Sequence, residues 1–434
     1  MKKQITQVFI IVFLLLIFDY AFFILKVSYG PKLSYYIFDY LVKSILIFVL
    51  LVDIFYKRFF DFQSSKYTVI AFVLLPLLVS LHISHRLIEL DKFYFYSKIS
   101  PKANSGTLWE FDNKLGHRAI ANSKGSYDFY VKDLKKLEIP VFFDSFGYRT
   151  VPDLLKINSD ASDLYLGCSF TFGDYVNAEE TYPYLTSKSL NHNYINAGAS
   201  AYGFAQMYQK AFELIPQKKF TYVFIQLSPW LADRAMEING PTYSGYRPFP
   251  YFSDSQSGFK LNYPAYKTSM YDGIKHNWRG SKFSYFEKLH FSISDGFRTE
   301  ILDYYSYVFA TIKSKLGLIP QPTSNKKQLE RYFYDQIITL SKDNSAIPVI
   351  LKLGYESKDS NDLISYISDR ALVIDLDDDL NKLSNNRRDL FKKYFELHYM
   401  QGQDQIWFDG HPNSMAHHLF STKILNSINS IKQQ

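Results

Sequence analysis

In LYLGCSFTFG, Leu164 to Gly173, Ser169 follows an apolar run and precedes a glycine-containing turn. A serine hydroxyl is a weak nucleophile until a base takes its proton. Such a base stands far downstream in IWFDGHPNSMAHHLF, Ile406 to Phe420, where Asp409 and His411 flank a glycine and Pro412 and Asn413 lead into a helix. A carboxylate this near an imidazole can hold the ring's tautomer and stabilise the imidazolium formed on proton transfer. Each piece alone has a plain reading, as a strand-turn serine or as a surface turn with a helix-capping asparagine. Together, Ser169, Asp409 and His411 predict nucleophilic acyl chemistry.

Other reactive residues point elsewhere. The single cysteine, Cys168, cannot form an intrachain disulfide and reads as a small buried side chain directed away from Ser169. Zinc spacings such as CxxC or HExxH are absent from the sequence, and neither a metal nor a cofactor is expected. Asp375, Asp377, Asp378 and Asp379 lack the glycine and spacing of a calcium loop and read as a solvated strand end. His417 and His418, on the closing helix, read as surface or packing residues.

The elements that must position the serine and histidine follow an α/β rhythm. Strands are expected at Asp163 to Gly167, Tyr194 to Asn196, Thr221 to Leu227, Ile347 to Leu353 and Ala371 to Leu376. Helices are expected at Glu180 to Leu190, Phe204 to Ile215 and Leu329 to Ser341. Strands alternating with helices predict a parallel sheet covered on both faces. Ligands then bind beyond the carboxyl ends of the strands, where Ser169 falls. Residues 236–318, rich in Tyr, Phe, Pro, Gly and Ser, break the rhythm and read as an aromatic insertion.

Three apolar runs, Val8 to Val27, Tyr35 to Tyr56 and Tyr67 to Ser84, approach the ~20 residues needed to span a bilayer. Lys2 and Lys3 before the first run, and Lys57, Arg58 and Lys66 between the second and third, place the N-terminus in the cytoplasm and the rest outside. Asp19 and Lys43 would lie at similar depth in adjacent spans, where charges pair. The expected division is a three-helix transmembrane region over 1–89, a juxtamembrane segment over 90–139 and a catalytic domain over 140–434. The net charge of +7 is spread along 434 residues without a basic stripe, which argues against nucleic acid and fits attraction to membrane lipid. With 47% hydrophobic and 18% aromatic residues the chain is too apolar for disorder.

Four segments in order carry a resemblance: FDSFGYR (Phe143 to Arg149), LYLGCSFTFG followed by TYPYL, INAGASAYG (Ile195 to Gly203) and FDGHPN (Phe408 to Asn413). They resemble the SGNH, or GDSL-type, hydrolase superfamily. The resemblance implies a flavodoxin-like three-layer α/β/α domain with Ser169 as nucleophile, His411 as general base and Asp409 orienting it. It also implies an oxyanion or substrate site at Gly198, Ala201 and Trp230. Three departures stand out: Cys168 replaces the family's aspartate, Ala201 its oxyanion glycine, and Trp230 falls nearest its asparagine.

The implied activity is that of a serine esterase or O-acyltransferase acting on acyl esters of cell-envelope glycans, anchored in a bacterial inner membrane with its domain periplasmic or extracellular. A multi-pass membrane acyltransferase is the expected protein partner in the transfer case. The alternative is a catalytically degenerate glycan-binding or assembly subunit on the same fold.

Overall fold

The computed structural model describes residues 100–101, 108–131, 134–151, 159–240, 247–256, 258–267, 302–354, 359–384, 394, 399–401, 404–406 and 411–433. They fall in one structural unit, 97–282 with 298–434. Six strands come first: β1 (Ser100–Pro101), β2 (Trp109–Asp112), β3 (Gly116–Ala119), β4 (Lys124–Val131), β5 (Leu134–Phe143) and β6 (Arg149–Thr150). Strand β7 (Ser162–Leu166) then leads into a short helix α1 (Ser169–Phe172), a 3-10 turn at Ala178–Glu180 and helix α2 (Tyr182–Leu190). They are followed by β8 (Asn193–Asn196), α3 (Phe204–Leu214), β9 (Tyr222–Leu227) and α4 (Trp230–Asp233).

The insertion contributes a hairpin, β10 (Tyr251–Ser255) and β11 (Gly258–Asn262), and helix α5 (Leu302–Lys315). The alternation resumes with α6 (Lys326–Asp343), β12 (Ile347–Lys352), α7 (Asp359–Ile367), β13 (Leu372–Asp375) and α8 (Asp377–Lys382). A small hairpin, β14 (Tyr399–Gln401) and β15 (Asp404–Ile406), precedes the closing helix α9 (Ser414–Lys432).

Nine strands form one sheet in the order β1-β4-β5-β6-β8-β7-β9-β12-β13. The last five run parallel. Numbered along the chain they follow the flavodoxin-like order 2-1-3-4-5. The chain moves one way from β7 to β8, then reverses past β7 to β9. Right-handed crossovers therefore put α2 on one face and α3, α6 and α7 on the other. Packing agrees: α2 lies along α9, while α3 and α7 both meet α6. Buried on both faces, such strands should be continuously apolar. Every residue of YVFIQL in β9 is buried, and Tyr165 of β7 stacks on Phe224 at 4.5 Å. Each of the five strands read from the sequence overlaps an observed one.

The segment read as juxtamembrane does more than connect. Strands β1, β4, β5 and β6 extend the sheet antiparallel, joined to the parallel half where Arg149 pairs with Asn196. The boundary drawn at residue 139 falls inside β5. Lys135, Lys136 and Glu138 interrupt the apolar run that marks a buried strand, which is why β5 was not expected. The three apolar N-terminal runs lie outside the described residues. Among the described residues no helix is long and apolar enough to cross a membrane.

Candidate active site

Ser169 opens α1 just beyond the carboxyl end of β7, at the point where the strand order reverses. That is where doubly wound sheets bind ligands. The turn into α1 is tight: a Cβ on Gly167 would lie 1.9 Å from Thr171 Oγ1 and 2.5 Å from Gln226 Oε1. The turn out of it needs Gly173 in the left-handed region, at φ +81°. Ser169 is 5% exposed, and its hydroxyl lies 3.8 Å from Cys168 Sγ. The two side chains are thus neighbours. An extended turn would have parted them, but Cys168 caps a helix that Ser169 begins.

Three strands clamp the Ser169 turn from beneath. From β9, Gln226 Oε1 accepts from the Cys168 N–H (3.0 Å) and the Thr171 hydroxyl (2.8 Å). Its Nε2 donates to Ser228 Oγ at 2.7 Å. From β8, Asn196 Nδ2 donates to Thr171 O at 3.0 Å and Oδ1 accepts from Gly198 N at 3.1 Å. From β6, the buried Arg149 guanidinium donates to the carbonyls of Phe172, Gly173 and Val176. Buried polar groups bonded from three strands fix one geometry for the turn.

Burial alone would push the Cys168 thiol up. The Arg234 guanidinium, the Phe170 backbone N–H, the Trp230 indole and the Gln226 amide outweigh it and hold the thiol below its usual range. Trp230 begins α4, its ring edge-on to Phe170 at 5.1 Å. A Cβ on Gly354 would lie 2.5 Å from Trp230 Cη2, so that glycine makes room for the indole. The buried Nε1–H sits beside Cys168 but makes no hydrogen bond that satisfies it.

The turn after β8 supplies the second wall. Gly198 is there for close approach, since a Cβ would meet Phe172 N at 2.8 Å, and its own N–H is committed to Asn196. Ala201 is buried with φ +66°, a conformation that costs a non-glycine residue roughly 1–2 kcal/mol. The strain falls at the position where the resemblance expects glycine. Between them, Ser200 donates its hydroxyl to both oxygens of buried Asp174, at 2.8 and 2.7 Å. His117, from β3, contacts Ser200 O through Nε2 at 2.9 Å. Burial, with help from Arg247, lowers the His117 pKa to about 3, so the ring is neutral and Nε2–H donates.

His411 is brought to this turn. Its ring meets Phe170 at 5.4 Å and Tyr175 at 5.2 Å, and its Nε2 lies 3.7 Å from Asp174 Oδ2. Asn413 caps α9 as the sequence suggested, accepting from Ala416 N at 3.1 Å. Asp409 lies outside the described residues. His417 is fully buried, accepts from Tyr182 N through Nδ1 and is pulled down to about 3, chiefly by burial. The acidic run is partnered: Asp375 pairs with Lys352, Asp378 with Lys382 and Asp379 with Lys423. Among the described residues no three His, Cys, Asp or Glu side chains are grouped to hold a metal ion.

Sequence reasoning missed Asp174, Ser200, Gln226 and His117. Gln226 was visible as the one amide inside an otherwise apolar strand, a placement that demands partners. Arg149 and Asn196 lay inside quoted segments without an assigned role.

No family model matches the chain, and no curated protein matches it significantly in sequence. Among solved structures it is similar to a GDSL-like lipase from Bacteroides thetaiotaomicron, at 10% identity over 65% of this chain and 93% of that one, with a TM-score of 0.29. It is also similar to a Corynascus carbohydrate esterase family 2 enzyme with a carbohydrate-binding domain. There the identity is 10% over 78% of this chain and 93% of that one, with a TM-score of 0.31.

Proposed function

We propose that the chain is a serine-dependent esterase acting on acyl esters of cell-envelope glycans, held at a bacterial cytoplasmic membrane by its N-terminal apolar runs. One observation carries the chemistry. Ser169 stands at the mouth of the parallel sheet, and the His411 ring packs on the next residue, Phe170. A hydroxyl so placed attacks the ester carbonyl while the imidazole accepts its proton. The resulting oxyanion would be met by the backbone N–H groups of Ser169 and Ala201 and by the Trp230 indole N–H. The proton on His411 passes to the departing alkoxide. Water then attacks the acyl carbon while His411 takes its proton, the bond to Ser169 Oγ breaks, and His411 returns the proton to that oxygen as the acid leaves; Asp409 holds the ring in the role the resemblance implies.

A fluorophosphonate probe tests this directly. The wild-type chain should be labelled and Ser169→Ala should not. Absence of label on a folded wild-type chain would favour the degenerate glycan-binding subunit. The fate of the acyl group is read separately, from the acetyl content of surface glycans with and without the gene. A gain on deletion supports hydrolysis. A loss would redirect the same acyl-enzyme to a glycan hydroxyl, with a membrane acyltransferase as donor.

A further inference from the structure

We propose that Asp174 is a positioning residue for His411, holding the imidazole from its Nε2 side and stabilising the imidazolium formed during catalysis. The inference rests on the esterase reading and adds a second carboxylate to Asp409, contributed by the nucleophile's own loop. The backbone makes the placement specific. The N–H groups of Gly173 and Asp174 both donate to Ser169 O, at 2.8 and 3.1 Å, so the carboxylate is tied to the nucleophile. Arg149 holds the same loop by the carbonyls of Gly173 and Val176.

The carboxylate itself is buried and aimed. Ser200 donates to both its oxygens, and Ser200 is in turn fixed by His117. The separation of 3.7 Å from Asp174 Oδ2 to His411 Nε2 is a Coulomb contact, longer than a hydrogen bond. It strengthens when the ring becomes charged. Among the described residues packed there, α1 presents Phe170, the following loop presents Tyr175 and α9 presents the neutral His417, while the Arg149 guanidinium of β6, bonded to the Gly173 carbonyl, is a cation that works against the imidazolium. The proton taken from Ser169 stays on the ring until the leaving alkoxide receives it, and Asp174 remains a carboxylate throughout.

The test uses the full chain in detergent. With Ser169→Ala as background, the His411 titration is followed by imidazole NMR with and without D174N. Loss of an opposing charge at this range should lower the midpoint by about one pH unit or more. With Ser169 present, D174N should move the acid limb of kcat/KM on a nitrophenyl acetate to lower pH by the same amount and cut the rate about tenfold. Asp174→Ser, smaller and also neutral, should give the same shift and serves if the amide does not fold. An unchanged His411 midpoint in a folded variant overturns the proposal. Failure of the wild-type chain to take the fluorophosphonate would overturn the esterase reading instead, and leave the NMR result standing.

Discussion

An indole offers one N–H and no acceptor, whereas a carboxamide offers both. Trp230 can therefore serve an oxyanion but cannot also bond its own surroundings, which fits a buried Nε1–H left without a satisfying partner. Trp230→Phe keeps the ring against Phe170 and removes only the donor. It should lower kcat by ~10²-fold with little change in KM, as loss of an oxyanion donor does; an unchanged kcat would assign the indole to packing. At this scale the sequence was partly legible. Ser169 and His411 stood out because their chemistry depends on residue type and local turn. Asp174 and Ser200 did not, because a carboxylate beside a hydroxyl 26 residues away is a fact of folding, with no local signature.

The elements were legible where burial is continuous. β9 and β12 are largely apolar because both faces are covered, and their β-branched and aromatic runs betrayed them. The antiparallel strands carry charges and blend into loop. What the elements achieve is a turn held by three neighbouring strands, with Gln226 bonding it at both Cys168 and Thr171. Gln226→Leu keeps the volume but strands the Cys168 N–H in the interior. It should cost about 1–3 kcal/mol in unfolding free energy, read as a lower denaturant midpoint. Ser169 labelling should slow in the same variant as the turn loosens.

Among the described residues, two histidines lie neutral deep inside, His117 and His417, each with a pKa of about 3 against an ordinary 6.5. The unfolded chain takes up protons near its ordinary value and the folded one does not. Their contribution to stability is therefore complete above about pH 6.5 and is lost as pH falls toward 3, at up to ~1.4 kcal/mol per pH unit for each ring. Denaturant midpoints should fall steadily on acidification. His417→Asn, whose oxygen can still accept from Tyr182, should remove about half of that slope. The sheet gives the molecule a further property. Its antiparallel extension ends in β6, and β6 carries the guanidinium that grips the loop after Ser169. Strand faces alternate with every residue. The facing of Arg149 is set by its own pairing with Asn196 in the two-residue β6, so one residue inserted or deleted at that pairing would turn the guanidinium to the opposite side and release the loop. A strand of two residues therefore sets the grip on the Ser169 turn.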